Sequence, residues 1–477
     1  MLGQIIRHDW RSLSADRTLW AIAAIMLVAI GYGVYNGAAW TKFQRDALIQ
    51  VNEEEKERFA TLRRGILDAE AGRLKPGTAD PRSADTIGRR SGLRYAVLPP
   101  GPLAALGIGQ SDLYPYYFKV STASKDTFLN NDEIENPVHL LSGRFDAAFV
   151  ILYLYPLVIL ALSYNLISGE KEAGTLSLTL SQPVALGQLV LGKVLLRFAL
   201  VVCLAVGLAL AGASLGGVDL ANGGSIGRLA LWSAVVAAYG VFWFALAVAV
   251  NAYGGSSTTN AMALSGAWLA VVLVVPSVLN VAAKVTHPIP SRVELINAMR
   301  TASRDATAEG STLLARYLED HPDLVATSEG EIANASATSF AVQDEVERRM
   351  EPVMDQFNQQ LVAQQAVLDR YRYLSPAVLA QSALYDIAGT GSARYKHFLQ
   401  LTDGFYGAWK AWFTPRVIQR TPIGSTELAF IPSFRFEEES LSDIAGRGAT
   451  ALFGLVCSTV LVVLVALIAL RRYSIAG

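Results

Sequence analysis

The sequence predicts an all-α membrane protein: six transmembrane helices with two extracytoplasmic inserts, mostly helical with some extended segments. Three observations carry this. Of the 477 residues, 52% are hydrophobic and 17% are charged, against roughly 25% charged in soluble domains. Six stretches reach the ~20 apolar residues that a bilayer core needs as helix. Two long polar segments, 41–146 and 285–446, interrupt them. The net charge of −1 offers no basic excess for nucleic acid. Cys203 and Cys457 both sit in apolar runs, so neither a disulfide framework nor a cysteine zinc site is expected. The five histidines are scattered, none at a metal-ligand spacing.

Span one covers 19–39 and reads as a retained signal anchor, because its apolar run exceeds the ~7–15 residues of a signal peptide. A charged helix over 42–71 and a Pro/Gly-rich loop over 76–102 follow. The aromatic cluster Tyr114, Tyr116, Tyr117 and Phe118 reads as packing before it reads as a ligand site. Span two covers 147–167, span three 191–215 and span four 229–250. Span five covers 261–283 and contains Pro276, which removes a helical hydrogen bond and should kink it. Span six covers 449–470.

In the second polar segment, Val346, Met350, Val353, Phe357, Leu361, Leu368 and Tyr371 recur at helical spacing over 338–372. Ser375-Pro376 reads as N-cap and first-turn proline. Gly389-Thr390-Gly391 stops that helix, and Ser392 is placed to cap the next. The aromatic run from Leu401 to Phe413 fits either an interfacial belt or a cap on the insert's own core. Residues 431–438 look extended. Gly33–Gly37 and Gly212–Gly216 are G-x-x-x-G pairs that permit close approach. No Asp, Glu, Lys or Arg sits mid-span, which weakens an ion-coupled transporter or channel. Arg7, Arg11 and Arg17 before span one, Lys171, Lys193 and Arg197 around the loop between spans two and three, and Arg471 and Arg472 after span six fall on one side. By the positive-inside rule that side, with both termini, is cytoplasmic.

One motif misleads. GQLVLGKV, residues 187–194, is G-x-x-x-x-G-K with Val194 where a Mg²⁺-binding Ser or Thr belongs. A P-loop leaves a strand and opens a helix; this stretch has no strand before it and runs into span three. Lys193 and Arg197, spaced i, i+4, are expected to snorkel to the headgroups.

The preceding stretch, SGEKEAGTLSLTLSQPVALGQLVLGK (168–193), resembles the cytoplasmic loop of ABC-2 type permeases, the membrane subunits of ATP-binding-cassette exporters. The matching positions are Glu170 and Glu172, Gly174-Thr175, Leu176 to Leu180, Gln182-Pro183-Val184 and Leu191-Gly192-Lys193. Ala185-Leu186-Gly187 departs from the family, where a Ser-Arg pair is common. LPPGPLAALGIGQSDLYP (98–115), NPVHLLSGRFDAAFVILYLYPL (136–157) and YLSPAVLAQSALYDIAGTGSARYKHF (373–398) resemble a branch with a large extracytoplasmic insert between spans five and six. The resemblance implies a chain without catalytic, cofactor or metal residues, with ATP and Mg²⁺ held by a partner.

It also implies an ATPase-coupling set: Glu170, Glu172, Gly174, Thr175, Leu176, Leu180 and Pro183. Glu170 and Glu172 would favour a helix dipole. Leu176 and Leu180 would press into a groove on the ATPase. Pro183 would end the element. The alternation Leu176, Leu178, Leu180 fits a strand as well as a helix.

The expected domains are 1–40 (cytoplasmic N-terminus and span one), 41–146 (insert one), 147–284 (spans two to five, with the coupling loop 168–190), 285–446 (insert two) and 447–477 (span six and cytoplasmic C-terminus). The expected partners are a cytoplasmic ABC ATPase dimer, a second permease half (homodimer or sibling permease) and membrane lipid, in a bacterial inner membrane. The solute would be hydrophobic, lipidic or peptide-like, moved outward. The alternative is mechanical transmission to a periplasmic partner without a solute. A membrane-anchored enzyme is the weakest reading, since acid pairs such as Asp132-Glu133 have no nucleophile or metal constellation beside them.

Overall fold

The computed structural model describes residues 2–74, 77, 79–122, 144–215, 218, 223–321 and 335–473. Asp132-Glu133, Gly216 and the start of the 136–157 motif lie outside the described residues. The protein is an all-α membrane protein. Six helices are long and apolar enough to cross a bilayer: Arg17–Glu70, Ala147–Glu172, Leu186–Ser214, Gly223–Ala252, Ser257–Thr286 and Leu441–Arg471. They are spans one to six. The strands are short: β1 (Arg94–Val97) pairs antiparallel with β2 (Tyr117–Val120), Arg94 opposite Val120.

Spans two and four form the centre of the bundle. Their Tyr155, Val235, Val236, Tyr239 and Trp243 are fully buried. The other four spans keep apolar faces outward, with Val28, Leu191, Met262 and Leu461 all more than half exposed. An outward apolar face suits lipid, which competes for no hydrogen bonds.

Span one and the charged helix after it are one unbroken helix of 54 residues, about 80 Å at 1.5 Å per residue. Asp16 caps its start, accepting from the Thr18 N–H at 2.8 Å. Both proline-bearing spans widen rather than break. A π-helical turn, Val150–Leu154, precedes Pro156, and another, Leu269–Val274, precedes Pro276. A proline ring clashes with the carbonyl one turn back, and a wider turn makes room for it.

Insert two contributes more to the bundle than its position in the chain suggests. Its long helix, Ala335–Tyr371, forms as the periodicity predicts. The next helix, Pro376–Ala388, wedges between spans four and six, with Leu379, Ala380, Ala383, Leu384 and Ile387 in the main core. Ser375 caps it, as expected: Oγ accepts from the Val378 N–H and donates to the carbonyl of Val271, midway along span five, at 2.7 Å. Leu379 lies against Gly454 inside span six. Part of the segment 285–446 is therefore packed into the bundle. Gly389 ends the wedge helix at φ +79°. Gly391, not Ser392, is the N-cap of the following helix, Ser392–Ile418, and no side chain caps it.

The aromatic run of that helix resolves the belt-or-cap question. Phe405, Tyr406, Trp409 and Phe413 are buried with Trp40, Ile66, Ile87 and Phe118 in a separate core of the two inserts. Tyr116 and Phe118 belong to the same core, and Tyr114 stacks on Tyr395 at 4.2 Å. The segment 431–438 is non-helical and pairs with no strand among the described residues.

Loop 98–112 joins these parts. Gly37 of span one packs against the Ala105 backbone, and Gly33 against that of Asp146. The Ala148 N–H donates to the Leu106 carbonyl at 2.9 Å, and that of Leu103 to the Ala388 carbonyl at 3.1 Å. Asp146, fully buried at the start of span two, accepts from the N–H groups of Phe149, Ile108 and Gly109. Burial pushes its carboxyl up to about 6, against the pull of those three donors. The Gly33–Gly37 pair thus serves close approach, but to a loop of its own chain.

A β-carbon at Gly37 would overlap the Ala105 backbone, whereas one at Gly31 meets nothing. Gly37→Val should destabilise the detergent-solubilised protein by about 3 kcal/mol. Gly31→Ala should not destabilise it; thermal unfolding followed by tryptophan fluorescence reads both.

Candidate functional site

The two termini and the 168–190 segment meet at the end of the bundle opposite the inserts. Leu166, Ile167, Leu176, Leu189 and Val190 form a small core there, with Ile5, Leu470 and Tyr473 packed against it. Span two closes with a short helix, Ser168–Glu172. Gly174 follows at φ +71°, a left-handed conformation that only glycine adopts without strain. Leu176–Leu180 is then helical, which settles the helix-or-strand question for this segment. Pro183 lies in the turn before span three.

Each acid of the predicted set has a partner. Glu170 Oε1 pairs with Lys193 Nζ at 2.7 Å, and its Oε2 accepts from Thr175 Oγ1 at 2.6 Å. Lys193 also donates to the Leu166 carbonyl at 3.3 Å. One turn along span three, Arg197 pairs with Asp9 at 3.0 Å and donates to the Leu162 carbonyl. Both cations are more than nine-tenths buried. The expectation that they snorkel to headgroups is overturned: each is buried against a carboxylate and a carbonyl near the end of span two. Asp9 belongs to an N-terminal helix, Leu2–Ala15, whose Ile5 packs on Gly192.

Glu172 acts on another helix than its own. Its carboxylate accepts from the Ser257 N–H and Oγ, both at 2.7 Å, at the first residue of span five. A carboxylate there satisfies an orphan donor and the positive end of that helix. Glu170 and Glu172 therefore tie one short helix to spans three and five.

The leucines divide differently from the prediction. Leu176 is 3% exposed and packs inward, Leu180 is half-buried, and Leu178 is 71% exposed. In a short helix following a glycine turn, the residue midway between two inward leucines faces away. Leu178 is thus the apolar side chain that this element presents outward, and Leu176 holds the element in place.

Sequence reasoning missed a buried amide network beneath the element. Asn251 Nδ2 donates to the Ser163 carbonyl at 3.0 Å, and its Oδ1 accepts from the Ile167 N–H at 3.2 Å. Asn260 Nδ2 reaches Asn251 Oδ1 and Ser168 Oγ, both at 3.3 Å. Ser168 Oγ lies 2.9 Å from Ser257 Oγ. The network joins the ends of spans two, four and five. Its only signal in the sequence was two asparagines closing and opening apolar runs.

The near-P-loop is helix throughout. Span three's helix runs from Leu186 to Leu215, and the Gln188 N–H already donates to the Ala185 carbonyl. A helix interior spends its N–H groups on its own carbonyls, so no cradle of free donors faces a phosphate. Among the described residues no group of three or more His, Cys, Asp or Glu could hold a metal.

Residues 292–437 match a protein family described as a domain of unknown function (DUF3526). The match covers most of insert two, including the wedge helix, and stops short of span six. No curated protein matches the chain.

The Glu170–Lys193 pair generates a test. Lys193→Met leaves the half-buried Glu170 without its cation and should cost about 1–3 kcal/mol. Glu170→Gln with Lys193→Met should cost clearly less than the sum of the two, a coupling of about 1–3 kcal/mol in a double-mutant cycle of detergent unfolding.

Proposed function

We propose that this chain is the permease subunit of an ATP-binding-cassette exporter. The observation that carries the reading is the clamped element at the terminal end. Two short helices are fixed to spans two, three and five by Glu170, Glu172 and a buried amide network, and they present Leu178 outward. A membrane subunit driven by a separate ATPase needs such an element, stiff enough to pass on a push and apolar enough to dock. On this reading ATP and Mg²⁺ belong to a cytoplasmic ATPase dimer, and the chain performs no chemistry itself. It sits in a bacterial inner membrane with both termini cytoplasmic and pairs with a second permease half. The solute class is hydrophobic, lipidic or peptide-like, moved outward.

A second reading has its own support. Span one continues without a break into insert one as a single 54-residue helix. A tilt at its membrane end would displace its far tip. That suits transmission of motion to a periplasmic partner without any solute.

The test is co-purification with an adjacent-gene ATPase candidate, followed by ATPase assay in nanodiscs. Leu178→Asp should abolish association and ATPase stimulation while the chain remains folded. Leu176→Asp should unfold the element and lower thermal stability as well. Equal association by wild type and Leu178→Asp would contradict docking through this element. Solute export by the reconstituted wild type without any extracytoplasmic partner would count against the second reading.

A further inference from the structure

Asp146, the residue before span two, is fully buried where three parts of the molecule meet. Its Oδ1 accepts from the Phe149 N–H at 2.6 Å, in the first turn of span two. Its Oδ2 accepts from the N–H groups of Ile108 at 2.7 Å and Gly109 at 3.3 Å, in loop 98–112. Its backbone lies against Gly33 of span one. The same loop reaches the wedge helix through Leu103 and Ala388, and span one again through Ala105 and Gly37. Asp146 thus pins from below the loop that joins spans one and two to the wedge helix.

This pin is ionisable and has no counter-ion. Among the described residues no Lys, Arg or His forms an ion pair with it. The loop brings Asp112, itself 3% exposed, whose Oδ2 takes the Arg144 guanidinium at 2.9 Å and whose Oδ1 has no hydrogen-bond partner. Arg144 is therefore engaged elsewhere. The wedge helix brings Tyr385, whose ring packs on Gly107 and Gly109, and span two brings Tyr153 to the same neighbourhood. Span one brings Tyr32, set against Phe145. None of these supplies a free positive charge.

Backbone N–H groups favour a carboxylate, but burial away from water favours the neutral acid. Burial prevails, and the negative charge of Asp112 adds to it, which holds the Asp146 carboxyl at about 6. A loop lifted off Asp146 would admit water and return the group to the ordinary range near ~3.9. The seated joint therefore binds a proton that the lifted joint releases. Seating is favoured in full below about pH 4, and that advantage is lost as pH rises through about 6.

We propose that Asp146 is a proton-operated latch: protonation seats loop 98–112 on spans one and two, and ionisation loosens it. The inference rests on the geometry of this joint. It needs neither the permease reading nor a choice of side for the inserts.

The experiment is hydrogen–deuterium exchange of the full chain in nanodiscs, corrected for the intrinsic pH dependence of exchange. Protection of the peptide 103–112 should rise about tenfold between about pH 7 and about pH 5, with a midpoint near 6. Asp146→Asn keeps the side chain's shape and cannot ionise, so its protection should not change over that range. Asp112→Asn removes the like charge and leaves Arg144 unpaired, so the midpoint should move to lower pH. Wild-type protection that stays flat or falls toward acid overturns the latch. So does a rise retained in Asp146→Asn, or a midpoint unmoved in Asp112→Asn.

Discussion

Two cations on adjacent turns of span three, Lys193 and Arg197, are buried near the start of that span, and the terminal end of the molecule is arranged around them. Neither could remain there alone, because an unpaired buried charge costs several kcal/mol. Glu170 and Asp9 supply the charges, and the carbonyls of Leu162 and Leu166 supply the remaining acceptors. Those carbonyls are free because span two loosens into turns after Ser163. One requirement therefore fixes three things together: where span two ends, where the N-terminal helix lies and how the short helices 168–180 are held.

The same rule governs the other end. Loop 98–112 has no regular structure, yet it lies against spans one and two and the wedge helix. It is tolerated there because its N–H groups donate to Asp146 and to helix-end carbonyls, and glycines at 33, 37 and 101 let backbone meet backbone. Irregular chain packed among such helices survives only when protein satisfies it. The wedge helix solves the problem by being a helix, with Ser375 capping its start and Arg228 its end.

Much of this was legible in the sequence. The six spans follow from run length, the long helix Ala335–Tyr371 from its period, and the Ser375-Pro376 start from capping chemistry. The wedge helix was not legible as part of the bundle, because its thirteen residues fall short of the ~20 that mark a span. The pairs Arg197–Asp9 and Glu170–Lys193 escaped because side chains that look free at a helix end are assigned to headgroups by default, and the partners are remote in sequence. Leu176, expected with Leu180 to face a partner, turned inward for a related reason. Spacing shows that leucines share a face, but only packing shows which face is inward.

The central claim is that the short helices move as one body with the spans and pass displacement to the inserts. Paired spin labels read this directly, one pair on Ser177 and Met262 and another on Glu53 and Leu441, in nanodiscs with the proposed ATPase partner. The account predicts that ATP leaves the first distance narrow and unchanged while the second shifts. A first distance that broadens while the second stays fixed would contradict it.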